Sequence, residues 1–207
     1  MRTLVIETAT AACSVALIEG DVVVAAAHEI VGRGHAERLV AMIAELPGGG
    51  RAESILVDCG PGSFTGIRVG IAAARGLGLG WGVPVAGYTS TALIAAAHFV
   101  AQPSLAMLAV VLEGGHGEVF MQSFSARSIA PLSALQSLRP EVAMAMLKTM
   151  TVVGNGIRLL PPQVPAHDWH YTLPSARDAA LLPLSETMRE ARPIYGRAPD
   201  AKPMAAA

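Results

Sequence analysis

The chemistry open to this chain rests on a short set of side chains. Gly60-Pro61-Gly62-Ser63-Phe64-Thr65-Gly66-Ile67-Arg68 lies between an apolar run and a long helical pattern. In that setting, free backbone N–H groups at a helix start can hold a phosphate. A P-loop would place lysine and a hydroxyl residue after its last glycine, whereas Ile67 and Arg68 follow Gly66. The stretch serves equally as a turn whose Ser63 or Thr65 caps the next helix, which is the simpler of the two readings. Glu7, Asp58 and Glu113 end or sit in predicted strands, where carboxylates can hold magnesium, but nothing in their order brings them together. His35 has Leu39 four residues on, so its helix lacks a second imidazole for a metal. His167-Asp168-Trp169-His170 sits in a proline-rich loop with no further ligand cluster, and no Gly-x-Ser-x-Gly elbow occurs. Cys13 and Cys59 lie in apolar runs without an activating partner, as expected of buried, reduced thiols. The residues thus predict no catalytic group, no metal and no cofactor.

The positions of these residues depend on the elements that carry them. Residues 4–7 and 13–18 read as apolar strands, Glu19-Gly20-Asp21 as a hairpin turn, and 22–27 as the returning strand. Leu39, Met42, Ile43 and Leu46 recur at helical spacing over 35–46, and Pro47-Gly48-Gly49-Gly50 ends that helix. A strand over 55–59, a helix over 64–81, a strand over 83–86 and a helix over 90–101 behind Thr89 or Ser90 follow. Three meandering strands followed by alternating helix and strand predict a mixed sheet covered by helices. Beyond a seam at Gln102-Pro103-Ser104, strands over 105–113 and 118–126 repeat the opening pattern, with Glu113 in the place of Glu7. The chain therefore divides into two halves, residues 1–102 and 103–207. A helix over 141–150, a strand over 151–153, a loop over 160–165, a helix over 176–191 containing Pro183, and a frayed end over 201–207 complete the prediction.

Within the helix over 64–81 and its end, Gly66, Gly70, Ala74, Gly78 and Gly82 recur every four residues. Interior glycine costs a helix about 0.5–1 kcal/mol relative to alanine, so the stripe has to gain something from close approach. Its partner is either the chain's own core or the helix of another protein.

Composition excludes several classes. Hydrophobic residues make up 52% of the 207 residues and charged residues 15%, which is too apolar for a disordered chain. A formal net charge of −1 provides no basic field for a phosphate backbone. The longest stretch without Asp, Glu, Lys or Arg, residues 76–112, is broken by Pro84, by Tyr88-Thr89-Ser90-Thr91 and by Gln102-Pro103-Ser104, so no membrane span is predicted. Met1-Arg2-Thr3-Leu4-Val5-Ile6-Glu7 meets an acid too early for a secretion signal, and a cytoplasmic protein is expected.

Several segments together resemble one family. Glu7-Thr8-Ala9-Thr10 with Cys13-Ser14-Val15-Ala16-Leu17, then His35-Ala36-Glu37-Arg38-Leu39, and above all the eleven residues 60–70 (GPGSFTGIRVG) are similar to the bacterial TsaB (YeaZ) proteins. Gly117-Glu118-Val119-Phe120 and the segment from Pro193-Ile194-Tyr195 to Pro199 resemble that family's second hairpin and tail. The resemblance is strong over residues 1–100 and looser beyond. It implies an α/β protein of the actin/hexokinase/Hsp70-like fold, with two ribonuclease-H-like halves and mixed sheets. It implies a non-catalytic scaffold required for threonylcarbamoylation of the adenosine next to the anticodon of certain tRNAs. Such a scaffold pairs with a TsaD-type catalytic subunit, is joined by a TsaE-type ATPase, and meets tRNA only through the complex.

The pairing implied uses the first two helices, here His35, Arg38, Leu39 and Met42 on one and Phe64, Thr65, Arg68, Val69, Gly70, Ala73 and Ala74 on the other. The stripe thereby acquires a candidate role in pairing, and without its partner the same face would support a homodimer. Catalytic relatives place two histidines four apart on the first helix, and Leu39 removes that site. Glu7, Thr8 and Glu113 fall at degenerate phosphate-hairpin positions. The competing reading is a small-molecule kinase or ATPase of the same fold, built on Glu7, Glu113 and Gly154-Asn155-Gly156.

Overall fold

The computed structural model describes residues 1–162 and 168–196. The apolar opening forms an antiparallel meander, β1 (Arg2–Glu7), β2 (Ala12–Glu19) and β3 (Val22–Ile30). α1 (His35–Glu45) leads to β4 (Ser54–Asp58), α2 (Phe64–Trp81), β5 (Val85–Tyr88) and α3 (Ser90–Ala101). β6 (Met107–Gly115) and β7 (Glu118–Ser125) open the second half, followed by β8 (Ala130–Pro131), β9 (Gln136–Leu138), α4 (Pro140–Leu147), β10 (Thr151–Val153) and β11 (Trp169–His170). β12 (Arg189–Glu190) returns to the first sheet.

The first sheet runs β12-β5-β4-β1-β2-β3, with β1, β4 and β5 mutually parallel and the others antiparallel to their neighbours. The second runs β11-β10-β6-β7-β8, with β9 also on β7 and with β6, β10 and β11 parallel. In both, an antiparallel hairpin forms one side of the first strand and later parallel strands extend the other. The weak repeat in the sequence is therefore a repeat of topology. α1 and α2 cover one face of the first sheet through Leu39, Met42, Ile67, Ile71 and Ala74. α3 is shared: Leu93 packs with the first sheet's other face, and Ala92, Ile94, Ala95 and Phe99 pack with β6 and β7. A helix apolar on all sides belongs between two layers, and α3 lies there.

Four elements differ from the sequence reading. The strand expected over 83–86 begins at Val85, because the Val83 N–H closes the end of α2 on the Gly78 carbonyl at 3.0 Å. The helix expected over 141–150 stops at Leu147, where Lys148 turns to a φ of 50°. The helix expected over 176–191 is broken into 3-10 turns at Ala176–Leu181 and Leu184–Glu186 and then β12. Leu182 and Pro183 are both extended, and proline cannot donate the helical hydrogen bond. The strand expected over 22–27 runs on to Ile30. Part of the loop over 160–165, and the end over 201–207, lie outside the described residues.

The glycine stripe faces the chain's own core. Gly66, Gly70, Ala74 and Gly78 are buried on α2. A Cβ at Gly66 would collide with the Thr8 carbonyl oxygen, one at Gly70 with the Thr8 hydroxyl, and one at Gly78 with Val85. Gly82 is the left-handed C-cap and leaves the stripe. The partner-helix role considered for the stripe is corrected accordingly: its close approach is to β1, the turn after it and β5. Gly70→Val is expected to destabilise the isolated chain by about 1–3 kcal/mol through overpacking, measured by urea denaturation. Unaltered stability would mean that α2 is free to lift from the sheet.

Candidate functional site

The glycine-rich loop is seated on the turn that follows β1. The Ser63 N–H donates to the Ala9 carbonyl at 2.6 Å, and the Thr8 hydroxyl donates to the Gly66 carbonyl at 2.8 Å. The Ser63 hydroxyl accepts the Gly66 N–H at 3.2 Å, so the capping role falls to Ser63. Thr8 is buried and committed to α2. The turn after β1 and the glycine-rich loop bind one another.

Beneath that contact lies a closed acidic centre. The parallel register pairs Ile6 with Val57, which sets Glu7 beside Asp58 at the ends of adjacent strands. Both are buried and lie close enough for each charge to act on the other. Glu7 accepts from the Ala9 N–H at 2.9 Å and the buried Tyr88 hydroxyl at 3.1 Å. Asp58 accepts from the Gly60 N–H at 2.8 Å and the Ser90 hydroxyl at 2.7 Å. Burial, then the charge of Asp58, holds the Glu7 carboxyl well above the ordinary carboxylate range, and burial pushes Asp58 up to about 6. Two like charges in a dry site cannot both ionise cheaply, so the pair retains a proton. Two of the three strand-end acids thus converge, which sequence order could not reveal. Glu113 does not join them: it is half-buried in the second half and pairs with Arg158 at 2.9 Å. Its N–H donates to Asn155, and Gly154 and Gly156 pack on Val111 and Leu112, so that loop is a seat for β6.

The residues predicted for partner pairing separate by depth. His35, Leu39, Met42, Gly70 and Ala74 are buried, and this corrects their place in a contact surface. The His35 Nε2–H donates to the Ala12 carbonyl at 3.1 Å, a structural role. Arg38 is half-buried and bound to Glu29 through Nε at 2.8 Å and through Nη2. Val69 and Ala73 are half-buried against the first core. Phe64, Thr65 and Arg68 are exposed. Phe64, Arg68, Ala72, Arg75 and Leu79 fall on one outward face of α2 at helical spacing, with Phe64 57% and Leu79 87% exposed. α1 presents Val40, 65% exposed. The sequence reading omitted Val40 and Leu79, although each is an apolar residue off its helix's buried stripe, and that was the available signal.

The remaining motifs are structural. Asp168 accepts from the Thr151 hydroxyl at 2.9 Å and meets His170 Nε2 at 2.7 Å, fastening β11 to β10, while His167 lies outside the described residues. Among the described residues, no group of three or more His, Cys, Asp or Glu is arranged to hold a metal ion. Cys13 and Cys59 are buried and free, their thiols pushed up by burial to about 11 and about 12. Among the described residues, no helix is long and apolar enough to cross a membrane.

Two mixed sheets of one repeated topology, meeting across a shared helix, define the actin/hexokinase/Hsp70-like class of ribonuclease-H-like pairs. The family model described as TsaD, tRNA N6-adenosine threonylcarbamoyltransferase, matches residues 27–130. The chain is 29% identical to the tRNA threonylcarbamoyladenosine biosynthesis protein TsaB of Escherichia coli K12 over 95% of each chain. It is 36% identical to the Haemophilus influenzae TsaB over 46% of this chain and 42% of that one. The structure of YeaZ from Pseudomonas aeruginosa superposes with a TM-score of 0.76 at 24% identity, covering 94% of this chain and 99% of the other. The chain belongs to the TsaB/YeaZ family.

The acidic centre carries a pH signature. The folded-state pKa values of Glu7 and Asp58 lie above the unfolded values of about 4. The folded chain therefore binds more protons than the unfolded one. That stabilisation is complete below about pH 4 and is lost as pH rises through about 6 and beyond. Glu7→Gln, which cannot ionise, is expected to show a smaller fall of Tm between pH 5 and 8 than the wild type. Parallel Tm–pH curves would mean that the pair is not protonated in the folded state.

Proposed function

We propose that the chain is a non-catalytic scaffold subunit in tRNA threonylcarbamoyladenosine biosynthesis, the process named for its full-length relatives. In this reading it pairs with a TsaD-type catalytic subunit through the outer faces of α1 and α2, in the half formed by residues 1–102. A TsaE-type ATPase joins the pair, and residues from 103 onward supply the second half. The observation that carries the reading is the outward face of α2, where Phe64 and Leu79 flank two arginines. An outward helix face with apolar residues at both ends and cations between suits an amphipathic partner helix, and self-association through this face would give a homodimer when the partner is absent.

Two further features support a scaffold over a catalyst. Leu39 is buried at the position where catalytic relatives carry the second histidine of a metal pair. Glu7 and Thr8 are spent on internal hydrogen bonds. The net charge of −1 fits a subunit that serves tRNA through a protein partner in the cytoplasm. Calorimetric titration of a TsaD-type subunit into the chain is expected to show saturable binding, weakened about tenfold by Phe64→Ala with Tm unchanged, as for the minority of interface residues whose truncation costs more than about 1 kcal/mol. A folded chain that does not bind that subunit would overturn the reading. Magnesium-dependent ATP binding by the chain alone would favour the small-molecule kinase or ATPase instead.

A further inference from the structure

α2 carries two charged residues, Arg68 and Arg75, and no acid. Both are exposed, and neither has a carboxylate partner among the described residues. Both are instead held by the segment after β12. The Tyr195 hydroxyl accepts from Arg68 Nε at 3.1 Å and Nη2 at 2.9 Å. The guanidinium of Arg68 lies 3.6 Å from the Phe64 ring centroid and 5.6 Å from that of Tyr195. Arg75 Nη2 donates to the Ala191 carbonyl at 2.6 Å. The segment itself is anchored: Ala191 is buried, and the Ile194 N–H donates to the Cys59 carbonyl at 2.7 Å.

We infer that residues 191–195 form a strap that holds the α2 arginines ready for acidic side chains on the partner's docking helix, with Tyr195 as a positioning residue of that interface. The inference rests on the scaffold reading. A guanidinium has five donors; Arg68 directs Nε and Nη2 at Tyr195, and Nη1 is left for a carboxylate. Fixing a long side chain before association removes part of the ordering cost of binding. The apolar neighbours Phe64 and Leu79 favour an amphipathic helix bearing Asp or Glu over a phosphate backbone, as does the charge balance of the whole chain.

The test is calorimetry of the full chain with a TsaD-type subunit at low and high salt. Arg68→Gln is expected to weaken binding about tenfold and to reduce its salt dependence. Tyr195→Phe keeps the ring over Arg68 and removes the acceptor, so it is expected to weaken binding about threefold with Tm unchanged. Arg68→Lys is expected not to restore affinity, because an ammonium lacks the planar fork. Wild-type affinity and salt dependence in both Arg68→Gln and Tyr195→Phe would overturn the strap, as would losses confined to tRNA crosslinking. Failure of the wild-type chain to bind would overturn the scaffold reading itself.

Discussion

The constraint on which the rest depends is the approach of a helix backbone to a strand end. α2 lies against the Thr8–Ala9 turn so closely that Gly62, Gly66 and Gly70 have no room for a methyl group. Glycine at interior helix positions works against the helix by about 0.5–1 kcal/mol each. The loss is offset by the buried bonds of Thr8 and Ser63 and by Ile67 and Ile71, which reach the core beside the bare face. Because the inner face is bare, Phe64, Arg68, Arg75 and Leu79 project outward, while Trp81 at the end of α2 packs against the first core. One packing decision thus both closes the turn after β1 and creates the surface that carries Phe64, Arg68, Arg75 and Leu79.

The same closure explains the chemistry of the acidic centre. A carboxylate at the end of a first strand can address a bound ion only if water and ligand can reach it. Here Tyr88, Ser90 and the backbone of residues 9 and 60 take up the acceptor positions of Glu7 and Asp58. The residual charge is relieved by retaining a proton instead of by a counter-ion, as expected in a medium of low polarisability. The centre is a structural joint between β1, β4, β5 and the first turn of α3.

Much of this was legible in the sequence because it is local. α2 and α3 are read at their observed limits from apolar spacing and from capping candidates, Ser63 or Thr65 and Thr89 or Ser90, of which the structure uses Ser63 and Thr89, and the repeat of strand, acid and turn anticipated a repeated topology. The pairing of Glu7 with Asp58 was not legible, since it depends on strands 1 and 4 being neighbours in register. The destination of the stripe was equally hidden: small residues show that something comes close, and only the tertiary arrangement shows that it is Thr8. The end of the chain misled for another reason. Residues 176–191 have helical composition, but their contacts with β2, β3 and α3 and with the edge of β5 determine their course. Tyr195 bore no local mark, because it works through Arg68, 127 residues earlier.

β12 pairs Arg189 with Gly87 and Glu190 with Ala86, so the last described strand completes the edge of the first sheet. During synthesis the amino-terminal half therefore emerges with β5 open on one side, and its missing neighbour appears only after every strand of the second sheet has been made. An exposed strand edge is a template for unwanted pairing. Ribosome-bound intermediates of this chain consequently have reason to be sheltered until Arg189 and Glu190 have emerged, and a truncation that removes β12 while sparing every residue of α1 and α2 would still reach the half that contains them.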